Sequence, residues 1–161
     1  MPAALRDLLV SWGSIYANHS AVRTLVVFAH LSGLIGGGGA AIASDRAILA
    51  VAGLDDHARR LELARLQRTH RAVLTGLAVV AASGLLLFAS DFETFLVSRV
   101  FWAKMLLVCL LLTNGALLVS AERRASAGDQ QAWTTLKITA VASLVLWSLT
   151  TLGGVALLSI G

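Results

Sequence analysis

The stretch that decides the fold is VRTLVVFAHLSGLIGGGGAAIA, residues 22–43, which carries one arginine and no acidic residue. A helix needs about 20 mostly apolar residues to cross the hydrocarbon core of a bilayer. Three further stretches meet that requirement, at about 72–89, 96–119 and 138–160. Because these runs are continuous and do not alternate between apolar and polar positions, they predict transmembrane helices rather than the strands of a barrel.

The composition agrees with a membrane protein of one domain. Hydrophobic residues make up 57% of the 161 positions and charged residues only 14%, against about 25% charged in typical soluble domains. The mean hydropathy is +0.80. We therefore predict an all-α integral membrane four-helix bundle, a single domain over 1–161 that is surrounded by the lipid bilayer.

The distribution of charge predicts the orientation of the spans. The net charge is +4, but the basic residues stand beside the apolar runs, which indicates membrane topology and no nucleic-acid partner. Nine of them lie in the connections between spans one and two and between spans three and four: Arg46, Arg59, Arg60, Arg65, Arg68, Arg71, Arg123, Arg124 and Lys137. The positive-inside rule places these connections in the cytoplasm and both termini outside. We expect a multi-pass protein of the bacterial inner (plasma) membrane, with both termini in the periplasm.

Two segments outside the spans have a helical pattern. The first 20 residues predict a short amphipathic segment, with Trp12 and Tyr16 on one face at the level of the headgroups. The connection after the first span begins a second helix, for which Asp55 or Asp56 is the expected cap. We expect that helix either to lie along the inner surface or to extend the second span into the cytoplasm.

Two ionisable residues stand well inside the predicted spans. His30 lies eight positions past the start of the first span, and Lys104 lies eight positions past the start of the third. Both spans run inward, so at a rise of 1.5 Å per residue both side chains lie about 12 Å below the outer boundary. An ionisable residue inside a membrane is by default a candidate functional residue.

Other polar and small residues are predicted at the same depth. The second span brings Ser83 to this level, and the fourth brings Thr150 and Thr151. Gly33 and Gly37 share the helical face of His30. Small residues allow a close approach, either of another helix or of a flat ligand.

This polar layer has two interpretations. In the functional one, His30 is an axial ligand of haem iron, Lys104 pairs with a propionate or a substrate carboxylate, and the hydroxyl groups donate hydrogen bonds. In the structural one, His30 bonds to a neighbouring helix, Lys104 extends its ammonium towards the interface, and the glycines mark a helix contact.

Further side chains suggest other chemistry. His70 lies at the cytoplasmic start of the second span, roughly 20 Å deeper than His30. It would serve a second haem or, with Arg71 and Arg68, contact propionates; the other interpretation is an interfacial histidine without a cofactor. Met105 and Cys109 are four residues apart on the third span and offer soft sulfur ligands for Cu(I). Packing in the helix core is the other interpretation of that pair.

Three segments carry a family resemblance. They are AHL at 29–31 with GG at 36–37, RTHR at 68–71 leading to SGLL at 83–86, and FWAKMLL at 101–107. The chain resembles the CopD-like family of small bacterial membrane proteins and, less closely, the HemJ-type protoporphyrinogen oxidases. HemJ-type proteins carry a first-helix histidine and a third-helix lysine and are associated with haem b, and the resemblance implies these roles for His30 and Lys104. CopD-like proteins are associated with copper uptake, which by similarity would also involve His30.

The chain departs from the HemJ pattern in one place. It has a glycine run after His30, where that family has bulky aromatic residues and a proline. This difference argues against protoporphyrinogen oxidation as such and leaves the haem-binding layer as the feature that the two share.

Three functions follow as hypotheses. The first is a haem b-binding membrane oxidoreductase or electron-transfer protein that passes electrons to a quinone or to a protein redox partner; no residue identifies itself as catalytic. The second is a protein of copper transport or handling that uses His30, Met105, Cys109 and His19. The third is a non-catalytic accessory subunit of a larger membrane complex, in a homo- or hetero-oligomer.

Overall fold

The computed structural model describes residues 3–51 and 53–158, apart from the side chains at positions 56, 62, 67, 68 and 158. All regular secondary structure in this part of the chain is helical. The helices are α1 (Ala3–Asn18), α2 (Ser20–Gly33), a π-helical turn (Leu34–Gly38), α3 (Gly39–Val51), α4 (Asp56–Ser90), α5 (Phe92–Val97), α6 (Arg99–Ser126) and α7 (Ala132–Leu158).

Within the described residues, four stretches are long and apolar enough to cross a membrane: Ser20–Val51, His57–Ser90, Arg99–Ser126 and Ala132–Leu157. The prediction of an all-helical chain with four such stretches is confirmed for this part of the chain. The stretches are longer than the predicted spans, because charged residues continue the same helices beyond the apolar segments. The predicted last positions of the fourth span, 159 and 160, lie outside the described residues.

The arginine-rich connection is part of α4, which runs without a break from Asp56 to Ser90. It therefore extends the second span instead of forming a separate surface helix. Asp55 caps its first turn by accepting a 2.8 Å hydrogen bond from the backbone N–H of Ala58. That hydrogen bond is the main cause that lowers the pKa of Asp55.

The long helices pack in two pairs that join near the connections rich in arginine, which we call the arginine-rich end. The first pair is the continuous stretch α2–π turn–α3 against α4, and the second is α6 against α7. Helix α3 also packs on α7 and so joins the pairs. A buried cluster lies at this joint: Ile48, Leu63, Leu66, Ala121, Ala125, Ala132, Trp133, Leu136 and Ala140.

Glycines bring the first pair of helices into backbone contact. A β-carbon added to Gly37 would lie 2.9 Å from the α-carbon of Gly76, and one added to Gly33 would lie 2.9 Å from the Gly76 carbonyl oxygen. Gly38 faces the indole of Trp147, 3.1 Å from the same hypothetical β-carbon. The glycine run therefore packs on α4 and α7 at once, as small residues do between membrane helices.

The second pair is linked by a buried polar contact. The side-chain amide of Asn114 on α6 donates a 2.9 Å hydrogen bond to the backbone carbonyl of Thr139 on α7. We expect Asn114→Leu to destabilise the protein by about 1 kcal/mol, the usual size of one hydrogen bond between membrane helices. Equilibrium unfolding in mixed micelles would measure it, with the exposed neighbour Thr113→Val as the control. Equal stabilities of the two variants would contradict the prediction.

Helix α1 packs at the opposite end of the molecule, beside α5. The indole N–H of Trp12 donates a 2.8 Å hydrogen bond to the Leu86 carbonyl, and a β-carbon on Gly13 would lie 3.1 Å from the Ser90 carbonyl oxygen. Trp12 and Tyr16 are on one face, with ring centroids 6.4 Å apart. The amino-terminal segment is thus a helix held against the end of α4.

Candidate functional site

His30 lies between α2 and α4, and α4 determines how its ring is held. The ring nitrogen Nδ1 is 3.0 Å from the hydroxyl oxygen of Ser83, which itself donates to the Val79 carbonyl at 2.5 Å. The adjacent Gly84 leaves room for the ring, since a β-carbon there would lie 3.4 Å from Cε1 of His30. His30 is half-buried. The contact at Nδ1 orients the ring, and this also sets the direction of the other ring nitrogen, Nε2.

Lys104 lies between α6 and α7 in a similar recess. A β-carbon on Gly153 would lie 3.6 Å from the β-carbon of Lys104, and one on Gly154 would lie 3.5 Å from its Nζ. The side chain is half-buried, so its stem runs over two glycines of α7. His30 thus lies beside Ser83, and Lys104 lies beside Gly153 and Gly154.

The two residues belong to different helix pairs, but the charge of Lys104 acts on His30. Lys104 lies within electrostatic range of His30. In the described residues, α2 packs on α4, the π turn and α1 and makes no extensive contact with α6 or α7. The two pairs are joined mainly through α3. In the half of the molecule that holds His30 and Lys104 they meet through Phe88 of α4, which stacks on Phe101 of α6 with ring centroids 5.2 Å apart.

The remaining residues predicted for this layer are placed as follows. Gly33 and Gly37 face α4, and its backbone fills the room beside them, so they serve the approach of a helix rather than of a flat ligand. The Thr150 hydroxyl is buried and has no hydrogen-bond partner among the described residues, whereas Thr151 is exposed. Ser83 alone of the three hydroxyl groups bonds to His30.

His70 and Arg71 belong to a different part of the molecule. Nε2 of His70 lies 3.2 Å from a carboxylate oxygen of Glu122 on α6, and Arg71 is exposed. This contact places His70 at the arginine-rich end, away from His30, as the spacing along the helices predicts.

Sequence reasoning missed two buried acidic residues in the half of the molecule that contains the arginine-rich end. Asp45 on α3 is 3% exposed and bonds to the Ser143 hydroxyl of α7, while its second oxygen has no hydrogen-bond partner among the described residues. Glu122 is 2% exposed. Both stand just beyond the predicted span ends, where we expected connections. The sequence signal that could have identified their burial is the helical periodicity of the apolar residues, which continues past the predicted span ends to Ile48 and Ala125.

Two of the side chains considered for copper are placed as follows. Cys109 is exposed, and His19 bonds to the Ile15 carbonyl at the far end of α2. Over residues 3–51 and 53–158, no group of three or more histidine, cysteine, aspartate or glutamate side chains is placed to hold a metal ion.

Comparisons with protein-family models, with curated proteins and with solved structures find no match to this chain.

Proposed function

We propose that this protein binds haem b through His30 and acts as a membrane redox protein. The observation that carries the proposal is the hydrogen bond between Ser83 and Nδ1 of His30. A histidine that ligates a metal with one ring nitrogen usually bonds to the protein with the other, which fixes the tautomer and the direction of the ring. His30 already has that arrangement, with Nε2 as the ligating nitrogen.

The surroundings of His30 fit such a group in two respects. Helix α2 is not packed extensively on α6 or α7 in the described residues, so neither of these helices extensively covers the side of the site opposite α4. The exposed apolar side chains of Phe28 and Leu31 on α2, and of Ile35 on the π turn, flank His30 along the chain and leave the exposed surface of this stretch apolar. A porphyrin ring needs both, an apolar surface and an absence of tight helix packing.

Lys104 supplies the complementary charge. Its ammonium lies within electrostatic range of His30, and its stem is supported by Gly153. A lysine there pairs with a haem propionate or with the carboxylate of a substrate. Bound haem iron supplies one-electron chemistry, and a quinone or a protein partner would exchange electrons with it.

The four apolar helices form a bundle in the inner membrane in this proposal. The arginine-rich end lies in the cytoplasm, since Arg59, Arg60, Arg123 and Arg124 stand together there next to the buried cluster. His30 and Lys104 then lie in the periplasmic half.

Titration of the purified protein with haem b tests the proposal. We expect a shifted Soret band on binding, and its loss in His30→Ala. Ser83→Ala should weaken binding by about 10- to 100-fold, the usual effect of removing a group that orients a metal ligand. His19→Ala is the matched control, because His19 is an exposed histidine at the start of the same helix.

The role of Lys104 needs a separate comparison. Lys104→Met should weaken the binding of haem b and leave the binding of its dimethyl ester unchanged, because the ester has no propionate charge. Unchanged spectra on haem addition, or equal binding by His30→Ala and His19→Ala, would disprove the proposed function.

A further inference from the structure

Glu122 is an acidic side chain enclosed by protein at the arginine-rich end. It lies in the last part of α6 and is 2% exposed. Both carboxylate oxygens are buried, and neither has a hydrogen-bond partner among the described residues. The closest polar group is Nε2 of His70, at 3.2 Å from Oε2, a distance typical of an ion pair but without the alignment of a hydrogen bond.

The groups around Glu122 are mostly apolar. Helix α7 contributes Ala132, Trp133 and Leu136 to the buried cluster beside it, and α3 contributes Ile48. Among the described side chains, two charged or titratable groups act on the carboxyl: His70 from α4 and Arg123 from its own helix. Arg123 is exposed to the surroundings of the helix end, so His70, which is partly buried, is the partner that lies against the enclosed carboxyl group.

Such a carboxyl group is costly to keep as a fixed anion. A buried charge costs several kcal/mol unless close ions and hydrogen bonds compensate it, and one misaligned contact does not provide that compensation. The stable arrangement is a carboxyl group that holds a proton or shares one with the imidazole. The side chain of His70 is 30% exposed, so it connects the enclosed oxygen with solvent.

We propose that Glu122 and His70 form a proton-exchange site that opens to the arginine-rich end. The O–H bond at Oε2 of Glu122 breaks as an N–H bond forms at Nε2 of His70. The N–H bond at Nδ1 then breaks and its proton passes to water, which leaves the Glu122 carboxylate and a neutral imidazole. The reverse steps reload the carboxyl group. Histidine suits this task because its charge changes near neutral pH.

This site does not depend on the haem proposal. His30 and Ser83 lie in the other half of the molecule, and neither contacts Glu122 or His70 in any hydrogen bond of the described residues. A failed haem titration would therefore leave the proton-exchange site intact, and the reverse also holds.

Infrared spectroscopy of the purified full chain tests the protonation. We expect a carbonyl band of a protonated carboxyl group at neutral pH, lost in Glu122→Gln and retained in Glu93→Gln, an exposed glutamate paired with Arg6. Asp45→Asn separates the band of the second buried acid. If Glu122→Gln fails to fold, ¹³C-glutamate labelling of the unmodified protein should shift the same band. A glutamate that is ionised at every pH would overturn the proposal in favour of a fixed ion pair.

The role of His70 is tested by the rate of exchange in D₂O. The Glu122 band should shift quickly in the unmodified protein and in His57→Leu, a control at an exposed histidine of the same helix. In His70→Leu the band should persist and its shift should slow. Equal exchange rates in the two leucine variants would show that the proton does not pass through His70.

Discussion

Gly76→Ala should destabilise the protein by about 1–3 kcal/mol, the usual cost of overpacking. The added β-carbon would meet the α-carbon of Gly37 and would lie 2.6 Å from its backbone nitrogen and 2.9 Å from the Gly33 carbonyl oxygen. These are backbone atoms of α2 and the π turn, so no side-chain rotation relieves the clash. Only separation of the helices does, and that loses the contacts around Gly37 as well.

The glycine run contains its own control. Gly39 begins α3, and a β-carbon there would have nothing within 4 Å. Gly39→Ala should therefore be neutral or stabilise the helix by up to about 1 kcal/mol, because alanine loses less backbone entropy than glycine. Unfolding in mixed micelles, followed by circular dichroism, compares the two. If both variants unfold alike, Gly76 is not a helix contact.

Trp147→Ala should have the largest effect of any apolar truncation. Trp147 on α7 is 6% exposed and packs with Ala41 of α3 and Leu111 of α6, while its ring lies against Gly38. Partly buried Val73 of α4 borders the same cluster. One indole thus fills the space where all four spans approach, and its removal leaves a cavity.

The expected cost is about 3 kcal/mol, the lower end of the range for Trp→Ala in soluble cores. We take the lower end because, in the mixed micelles of the measurement, detergent and lipid surround the unfolded helices and reduce the transfer contribution. Trp102→Ala is the matched control, since Trp102 is 56% exposed on α6. The same unfolding measurement should show a small change for it, and a comparable loss in both variants would refute the packing role of Trp147.

Gly76→Ala and Trp147→Ala also differ in which helix–helix contact they weaken. Gly76 lies inside the first helix pair, between α4 and the glycine run. Trp147 lies between the pairs, where α3 meets α7. Gly76→Ala should therefore disturb the position of His30, which rests on the same face of α4, whereas Trp147→Ala should loosen α6 and α7 from the rest.

The amino-acid sequence by itself determined the helical class and the number of apolar stretches. Runs such as 22–43 need no tertiary information, because about 20 apolar residues in helical form match a bilayer core. A common depth of His30 and Lys104 is likewise a prediction from counting alone, since the helix rise is constant. Counting along the helices likewise predicted Ser83 at the level of His30, and the two side chains form a hydrogen bond.

Only the tertiary structure decided which neighbouring helix each helix face packs against. Gly33 and Gly37 share a face with His30 in sequence, yet that face meets α4, and the contact with Gly76 comes from a residue about 40 positions away. The burial of Asp45 and Glu122 depends equally on α3, α4 and α7 closing around the ends of their helices. A sequence records rise and periodicity within one helix, whereas the enclosure of a side chain depends on which neighbour covers it.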